Sequence, residues 1–284
     1  MSVRCLFVED DSTLSAALLQ QLLARNWSVS SIAPNTLDTA FAEQFADAEE
    51  VIVFDCASHC AIQSGRSDYF PLPIFQRLVA QCAERQWPLL LLSDSRVFPH
   101  GKQRFRESDS VQPAVDIGEL LVEREQYLAA QLQQHVILRC GPLLATEGDN
   151  LLTHWLQRLR AGGVLSASDS PRFCPTPVDD VARVLAAIGD QLTCAAQCWG
   201  VFHYHSADAA SGYEFVEVLL AAAAQYWNVG GEHVRLQAVA AEPFGGVFPL
   251  LQCQRIRDTF GIQQLPWRKA IPTLLQQIYR GEAA

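Results

Sequence analysis

The sequence predicts an α/β fold: a doubly wound parallel sheet covered by helices on both faces, followed by a smaller, mixed C-terminal lobe. Short apolar runs of strand length alternate with amphipathic stretches through the first half of the chain. One of those runs, Pro88–Ser93, holds four consecutive leucines, the pattern of a strand buried on both faces. Past Gly141 the alternation loosens without a repeat or a low-complexity linker.

The elements follow in order. Val3–Val8 is a buried strand, and Leu14, Leu18, Leu22 and Leu23 mark the stripe of the helix after it. Trp27–Ala33 is a second strand, Thr36–Ala46 a helix, and Glu50–Asp55 a third strand. Ile74–Arg85 is helical, Pro88–Ser93 is the leucine strand, Ile117–Gln134 is a long helix and His135–Cys140 the next strand. Further on, Asn150–Arg160, Val178–Gln191 and Tyr213–Trp227 read as helices and Gly200–His205 as a short strand. Gly162 and Gly163 stop a helix, and Ser166–Arg172 reads as polar loop. Residues 1–145 are expected to form the sheet domain and 146–284 the smaller lobe, with 178–206 packing back on the sheet.

Composition narrows the function. Of 284 residues, 49% are apolar and 18% charged, which excludes a disordered or coiled-coil chain. A net charge of −10 and a pI near 5.1 argue against nucleic acid, which requires a basic face. No apolar run approaches the ~20 residues that span a bilayer, so no membrane role is expected. The N-terminus meets acids within ten residues and does not read as a signal peptide. Nine cysteines without a framework fit reduced thiols in a cytoplasmic protein.

Several segments carry a resemblance. They are Asp55-Cys-Ala-Ser-His59-Cys-Ala, Leu92-Ser93-Asp94-Ser95-Arg96-Val97-Phe98-Pro99, Gln112-Pro113 with Gly118-Glu119 and Glu125, and Ile137-Leu-Arg139-Cys-Gly-Pro. Cys174-Pro175-Thr176 with Asp179-Asp180, Gly200-Val-Phe-His203, Ser211-Gly-Tyr-Glu214 and Leu265-Pro266-Trp267 continue the series. In this order the chain resembles the dTDP-4-dehydrorhamnose reductase branch of the extended short-chain dehydrogenases. The resemblance implies a Rossmann-like sheet with a sugar-nucleotide lobe, and NAD(P)H delivering hydride to a 4-keto sugar.

The chain departs from that pattern where the chemistry is placed. A dinucleotide turn requires glycines because the backbone must approach the pyrophosphate closely. Here the corresponding loop, from Val8 through Asp11 to Leu14, has three acids, and no glycine precedes Gly65. At about 4 Å and an effective dielectric near 20, each anion pair costs on the order of 4 kcal/mol before screening. The second strand ends Ser31-Ile32-Ala33-Pro34, without the usual ribose-binding acid. Alignment through Gly118-Glu119 puts Ile117 at the family's tyrosine and Leu121 at its lysine, with Asp94 at the Ser/Thr position. Aliphatic groups do not titrate.

The expectation is therefore a catalytically degenerate relative, a pseudoenzyme acting as a ligand-binding or regulatory protein, with no confident cofactor. Its partner is expected to be a protein or a small-molecule or sugar-nucleotide ligand. The alternative is an active NAD(P)-dependent sugar-nucleotide reductase or epimerase with atypical residues. Candidate ligand-binding residues are His59, Ser93, Ser95, Arg96 and Arg139, which lie near carboxyl ends of strands, where such sheets bind ligands. Arg96 stands at a family tyrosine and offers a bidentate anion contact.

Other patterns weigh less. Leu6-Phe-Val-Glu-Asp10-Asp11 with Asp55 resembles a response-regulator receiver, but the expected proline after Asp55 is absent, and neither of the two lysines, Lys102 and Lys269, suits a later strand end. Cys56, His59 and Cys60, or Cys194 and Cys198 with His203 and His205, lack paired metal-ligand spacing and read as core; no metal is expected. His203 reads as packing for its strand, and Asp179 and Asp180 as helix caps.

Overall fold

A computed structural model describes residues 4–8, 10–37, 51–66, 68–101, 104–194, 196–226, 234–240 and 247–282. Its centre is a six-stranded parallel sheet in the order β2-β1-β3-β4-β5-β9. The strands are β1 (Arg4–Val8), β2 (Ser28–Ile32), β3 (Val51–Asp55), β4 (Leu89–Asp94), β5 (His135–Cys140) and β9 (Gly200–Tyr204). The expected doubly wound α/β class is what forms. The order reverses between β1 and β3, so a crevice opens at the carboxyl ends of those two strands.

The central strands β3 and β4 are dry on both faces, and their successive side chains point to opposite sides. Cys5, Phe7, Phe54, Leu90 and Leu92 join one core, together with helices α1 (Thr13–Ala24) and α6 (Val178–Thr193). Leu6, Val8, Val53, Leu89 and Leu91 join the other, against α3 (Leu72–Arg85) and α4 (Asp116–Gln131). Each such leucine contributes about 1.5–3 kcal/mol by leaving water. That two-sided burial is why β4 reads as an uninterrupted leucine run.

The helices start where the sequence supplies caps. Ser12 accepts from the Ser15 N–H at 3.1 Å and starts α1. Asn150 and Thr153 form a capping box for α5 (Leu151–Ala161), and Ser211 and Glu214 another for α7 (Gly212–Ala223). Gly162 and Gly163, both at positive φ, end α5. Asp179 and Asp180 are not caps: Pro177 holds that position, both acids lie in the first turn of α6, and Asp180 instead accepts from the Tyr204 hydroxyl at 2.5 Å.

The C-terminal lobe has its own core of Trp155, Phe215, Trp267 and surrounding leucines. Two small parallel pairs, β6 (Leu143–Leu144) with β8 (Thr176–Pro177) and β7 (Val164–Ser168) with β10 (Arg235–Val239), brace it. The first three residues of the expected Ser166–Arg172 loop are therefore strand; their backbone partners lie some seventy residues away. Helices α8 (Gln254–Phe260) and α9 (Ile271–Glu282) complete the described chain, and α2 (Ala57–Gln63) follows β3 directly. Of the expected Thr36–Ala46 helix, residues 38–46 lie outside the described residues, and Pro34–Thr36 forms a 3-10 turn. Among the described residues no helix is long and apolar enough to cross a membrane.

One glycine fixes the approach of α4 to the crevice. A Cβ on Gly118 would collide with the Arg96 carbonyl and stand 2.6 Å from Pro113 Cβ. Gly118→Ala is expected to cost about 1–3 kcal/mol in urea unfolding, because helix and turn must separate. An unchanged midpoint would mean that the turn carrying Arg96 yields freely.

Candidate functional site

A cavity of about 550 Å³ lies over the carboxyl ends of β1, β3 and β4, with the C-terminal lobe as its far wall. That size suits a small organic ligand. The sheet side is lined by Asp11–Leu14, His59, Cys60, Gln63, Asp94, Arg96 and Ile117; the lobe contributes Asn150, Leu151, His154 and Phe248.

A hydrogen-bonded polar group on its wall is built around Asp94, the last residue of β4. Arg96, in the 3-10 turn Ser95–Val97, donates its backbone N–H to Asp94 Oδ1 at 2.8 Å and its Nε to the same oxygen at 2.9 Å. Its Nη2 reaches Oδ2 at 2.7 Å and also donates to Gln63. The guanidinium stands 5.0 Å from the Phe248 ring of the other lobe. His59, on α2, places Nε2 3.3 Å from Asp94 Oδ2. Burial pushes the Asp94 carboxyl up, but Arg96 and His59 beside it hold it well below the usual range, so it is a carboxylate at neutral pH.

On the neighbouring strand, Asp55 is fully buried at the end of β3, accepting from the Ser58 N–H at 2.8 Å and from its hydroxyl at 2.6 Å. Burial raises its pKa to about 6, against the opposing pull of the Ser58 hydrogen bonds and Arg124. The neighbouring thiols of Cys56 and Cys60 are pushed well up by burial and nearby acids, so they are not nucleophiles at neutral pH. All nine cysteines are unpaired, and among the described residues no three or more His, Cys, Asp or Glu are grouped to hold a metal.

At the first turn, Asp10 Oδ1 accepts from the Ser12 N–H at 2.9 Å, and its carboxylate is buried beside the Cys60 thiol. Asp11 and Leu14 line the cavity, while Val8 is buried in the sheet. Ile117 lines the wall and Leu121 is buried in the core; neither fills the cleft.

The residues expected at the site divide. His59, Asp94 and Arg96 come together on the cavity wall. Ser93, Ser95 and Arg139 do not line it. The Ser93 hydroxyl donates to Glu125 at 2.5 Å and Arg139 forms a two-pronged pair with the same carboxylate, all inside the protein. Gln63, Asn150, His154 and Phe248 escaped the sequence reading. Only Asn150 carried a signal, as a helix cap.

The RmlD substrate binding domain family model matches residues 4–280. A dTDP-4-dehydrorhamnose reductase of Aggregatibacter actinomycetemcomitans is 24% identical over 192 residues, 66% of this chain and 65% of that protein. The chain thus spans slightly less than two thirds of the length of that curated relative. A solved dTDP-4-dehydrorhamnose reductase from Clostridium acetobutylicum superposes with a TM-score of 0.77 at 18% identity, covering 97% of this chain and 99% of that one. Another from Bacillus anthracis, in complex with NADP, gives 0.76 at 16% identity over 98% and 100%. A UDP-N-acetylglucosamine 4-epimerase from Bacillus cereus gives 0.74 at 12% identity over 98% and 99%. At these identities the solved structures establish the fold.

These matches overturn the expectation of a catalytically degenerate ligand-binding or regulatory protein and support its alternative, a sugar-nucleotide reductase or epimerase. The absence of a tyrosine and a lysine from their family positions does not by itself close the site. The cleft stays open, with a histidine and an ionised aspartate on its wall. The resemblance drawn from scattered motifs holds over nearly the whole length: the chain belongs to the RmlD substrate binding domain family.

Proposed function

We propose that this chain is an enzyme acting on a nucleoside-diphosphate sugar, a reductase or epimerase of the dTDP-4-dehydrorhamnose reductase kind with atypical residues. The observation that carries the reading is the cleft itself. It sits where this family's fold places ligands, is walled by two lobes, and holds His59, Asp94 and Arg96 on its sheet side. Residues 1–145 supply that side and 146–284 the opposite wall.

A nicotinamide dinucleotide, present as NADP or NAD in several solved neighbours, does not fit the β1–α1 turn in the manner of a glycine-rich loop. Asp10 already takes the Ser12 amide, and Asp11 beside it lines the cavity, so a diphosphate would be repelled there. No step is derived through that group. What the chain's own residues supply is proton chemistry and orientation. Asp94 and Gln63 hold Arg96, and His59 stands against Asp94 at the ligand's side of the sheet.

Calorimetric titration with dTDP-glucose tests the reading, followed by incubation with a dTDP-4-keto sugar in the presence of NADPH or NADH and mass analysis of the product. Binding in the micromolar range and a converted sugar are expected. Absence of dTDP-glucose binding at millimolar concentration overturns the reading.

A further inference from the structure

We infer that Arg96 grips an oxygen of the ligand's sugar through Nη1, and that Asp94 is the residue that positions it. The inference deepens the reading above and rests on it. Arg96 is 6% exposed and lines the cavity. Its Nε and Nη2 are engaged by Asp94, and Nη2 also donates to Gln63. Nη1 differs from both. It donates to no group among the described residues, yet it is not sealed from solvent as Arg139 Nη1 is. The groups around the guanidinium, namely Asp94, Gln63 and the Phe248 ring 5.0 Å away, all line the same cavity. The accessible end of Arg96 therefore opens onto that cavity, with the N–H bonds of Nη1 unused.

Geometry and charge together select the ligand's group. Hydrogen bonds from the Arg96 backbone N–H, Nε and Nη2 to Asp94 hold the guanidinium in place before any ligand arrives. Little side-chain freedom is then lost on binding. The same pairing sets an opposite charge 2.7 Å from Nη2. Arg96 thus acts as a fixed donor and not as a free positive charge. A diphosphate gains little at such a place, because its own charge meets the Asp94 carboxylate at close range. An uncharged sugar oxygen meets no such repulsion. A guanidinium donates and never accepts, so the oxygen it holds is an acceptor, either a carbonyl or the lone pair of a hydroxyl.

Calorimetric titration with dTDP-glucose and with dTDP separates the sugar from the diphosphate. Arg96→Lys keeps a cation beside Asp94 but has one nitrogen, which cannot pair with the carboxylate and reach the ligand together. It should weaken dTDP-glucose about tenfold, one hydrogen bond's worth, and change dTDP less than about twofold. Asp94→Asn, which loosens the guanidinium, should lower the ratio of the two affinities in the same direction. A second measurement needs no variant. In arginine-labelled wild type, the Nη1 protons of Arg96, identified by their contacts to the Phe248 ring, should shift and exchange more slowly with dTDP-glucose but not with dTDP. Should Arg96→Lys fail to fold, those signals decide alone. If folded Arg96→Lys weakens both ligands equally or neither, or if the wild-type signals ignore dTDP-glucose that is bound, the inference is overturned while the proposed function stands. If dTDP-glucose does not bind the wild type at all, the proposed function is overturned and this inference falls with it.

Discussion

Glu125→Ala is expected to lower unfolding free energy by about 3–5 kcal/mol. Glu125 sits on the inner face of α4, where it accepts from Arg139 Nε at 2.9 Å and Nη2 at 2.5 Å and from the Ser93 hydroxyl at 2.5 Å. All three residues are buried, and Arg139 also stacks 5.0 Å from the Phe98 ring. Removing the carboxylate strands a guanidinium that already has one nitrogen, Nη1, without a partner. Its desolvation is then uncompensated, which is far worse than never having buried a charge. The paired replacement Glu125→Leu with Arg139→Met should therefore recover most of the loss, since two apolar side chains of similar volume need no partners. Urea midpoints of the two variants decide this; equal losses would mean that shape, and not the stranded charge, dominates. The site feels the same change, because Ser93 precedes Asp94 on β4.

That pair of neighbours also explains what the sequence concealed. Ser93 and Asp94 are adjacent on a strand, so they point to opposite faces: Asp94 meets the cleft and Ser93 meets α4. A reading that places the whole Ser93–Arg96 segment at the crevice catches Asp94 and Arg96 and misplaces Ser93 and Ser95. The sheet was legible because strands buried on both sides are apolar throughout, as Leu89–Leu92 are. The start of α7 was legible because Ser211 and Glu214 form a local capping box. Strand β7 was not, because its serines look like loop and its partner, β10, is distant in sequence. The lobe wall at His154 and Phe248 was hidden for the same reason: docking of one lobe on another leaves no local pattern. His59 was visible as a candidate, but its bond to Asp94, thirty-five residues on, had to await the fold.

The largest pH effects should come from two buried groups that oppose each other. Burial, reinforced by the charge of Arg139 on the neighbouring strand, pushes His203 down to about 3. Its folded pKa lies below the unfolded value near 6.5, so its contribution is present above about 6.5 and lost as pH falls toward 3; the full span is about 5 kcal/mol. Asp55 runs the other way. Raised to about 6, it contributes fully below about 4 and loses that contribution as pH climbs through 6, a span of about 3 kcal/mol. Between pH 6 and 4, each unit of acidification thus costs about 1.4 kcal/mol at His203 and returns about as much at Asp55. Asp55→Asn keeps an acceptor for the Ser58 amide and removes the returning half, so its stability should fall by about 1.4 kcal/mol per unit relative to wild type over that window. His203→Phe, which can keep the edge-on contact with Phe98, should rise by the same amount. Taking each variant against the wild type cancels shifted groups that neither substitution touches, such as Glu107, which burial pushes up. Urea unfolding at half-unit steps from pH 4 to 7 measures both slopes. Two variants that track the wild type in parallel would show that neither group changes its charge on unfolding, and that water reaches both positions in the folded chain.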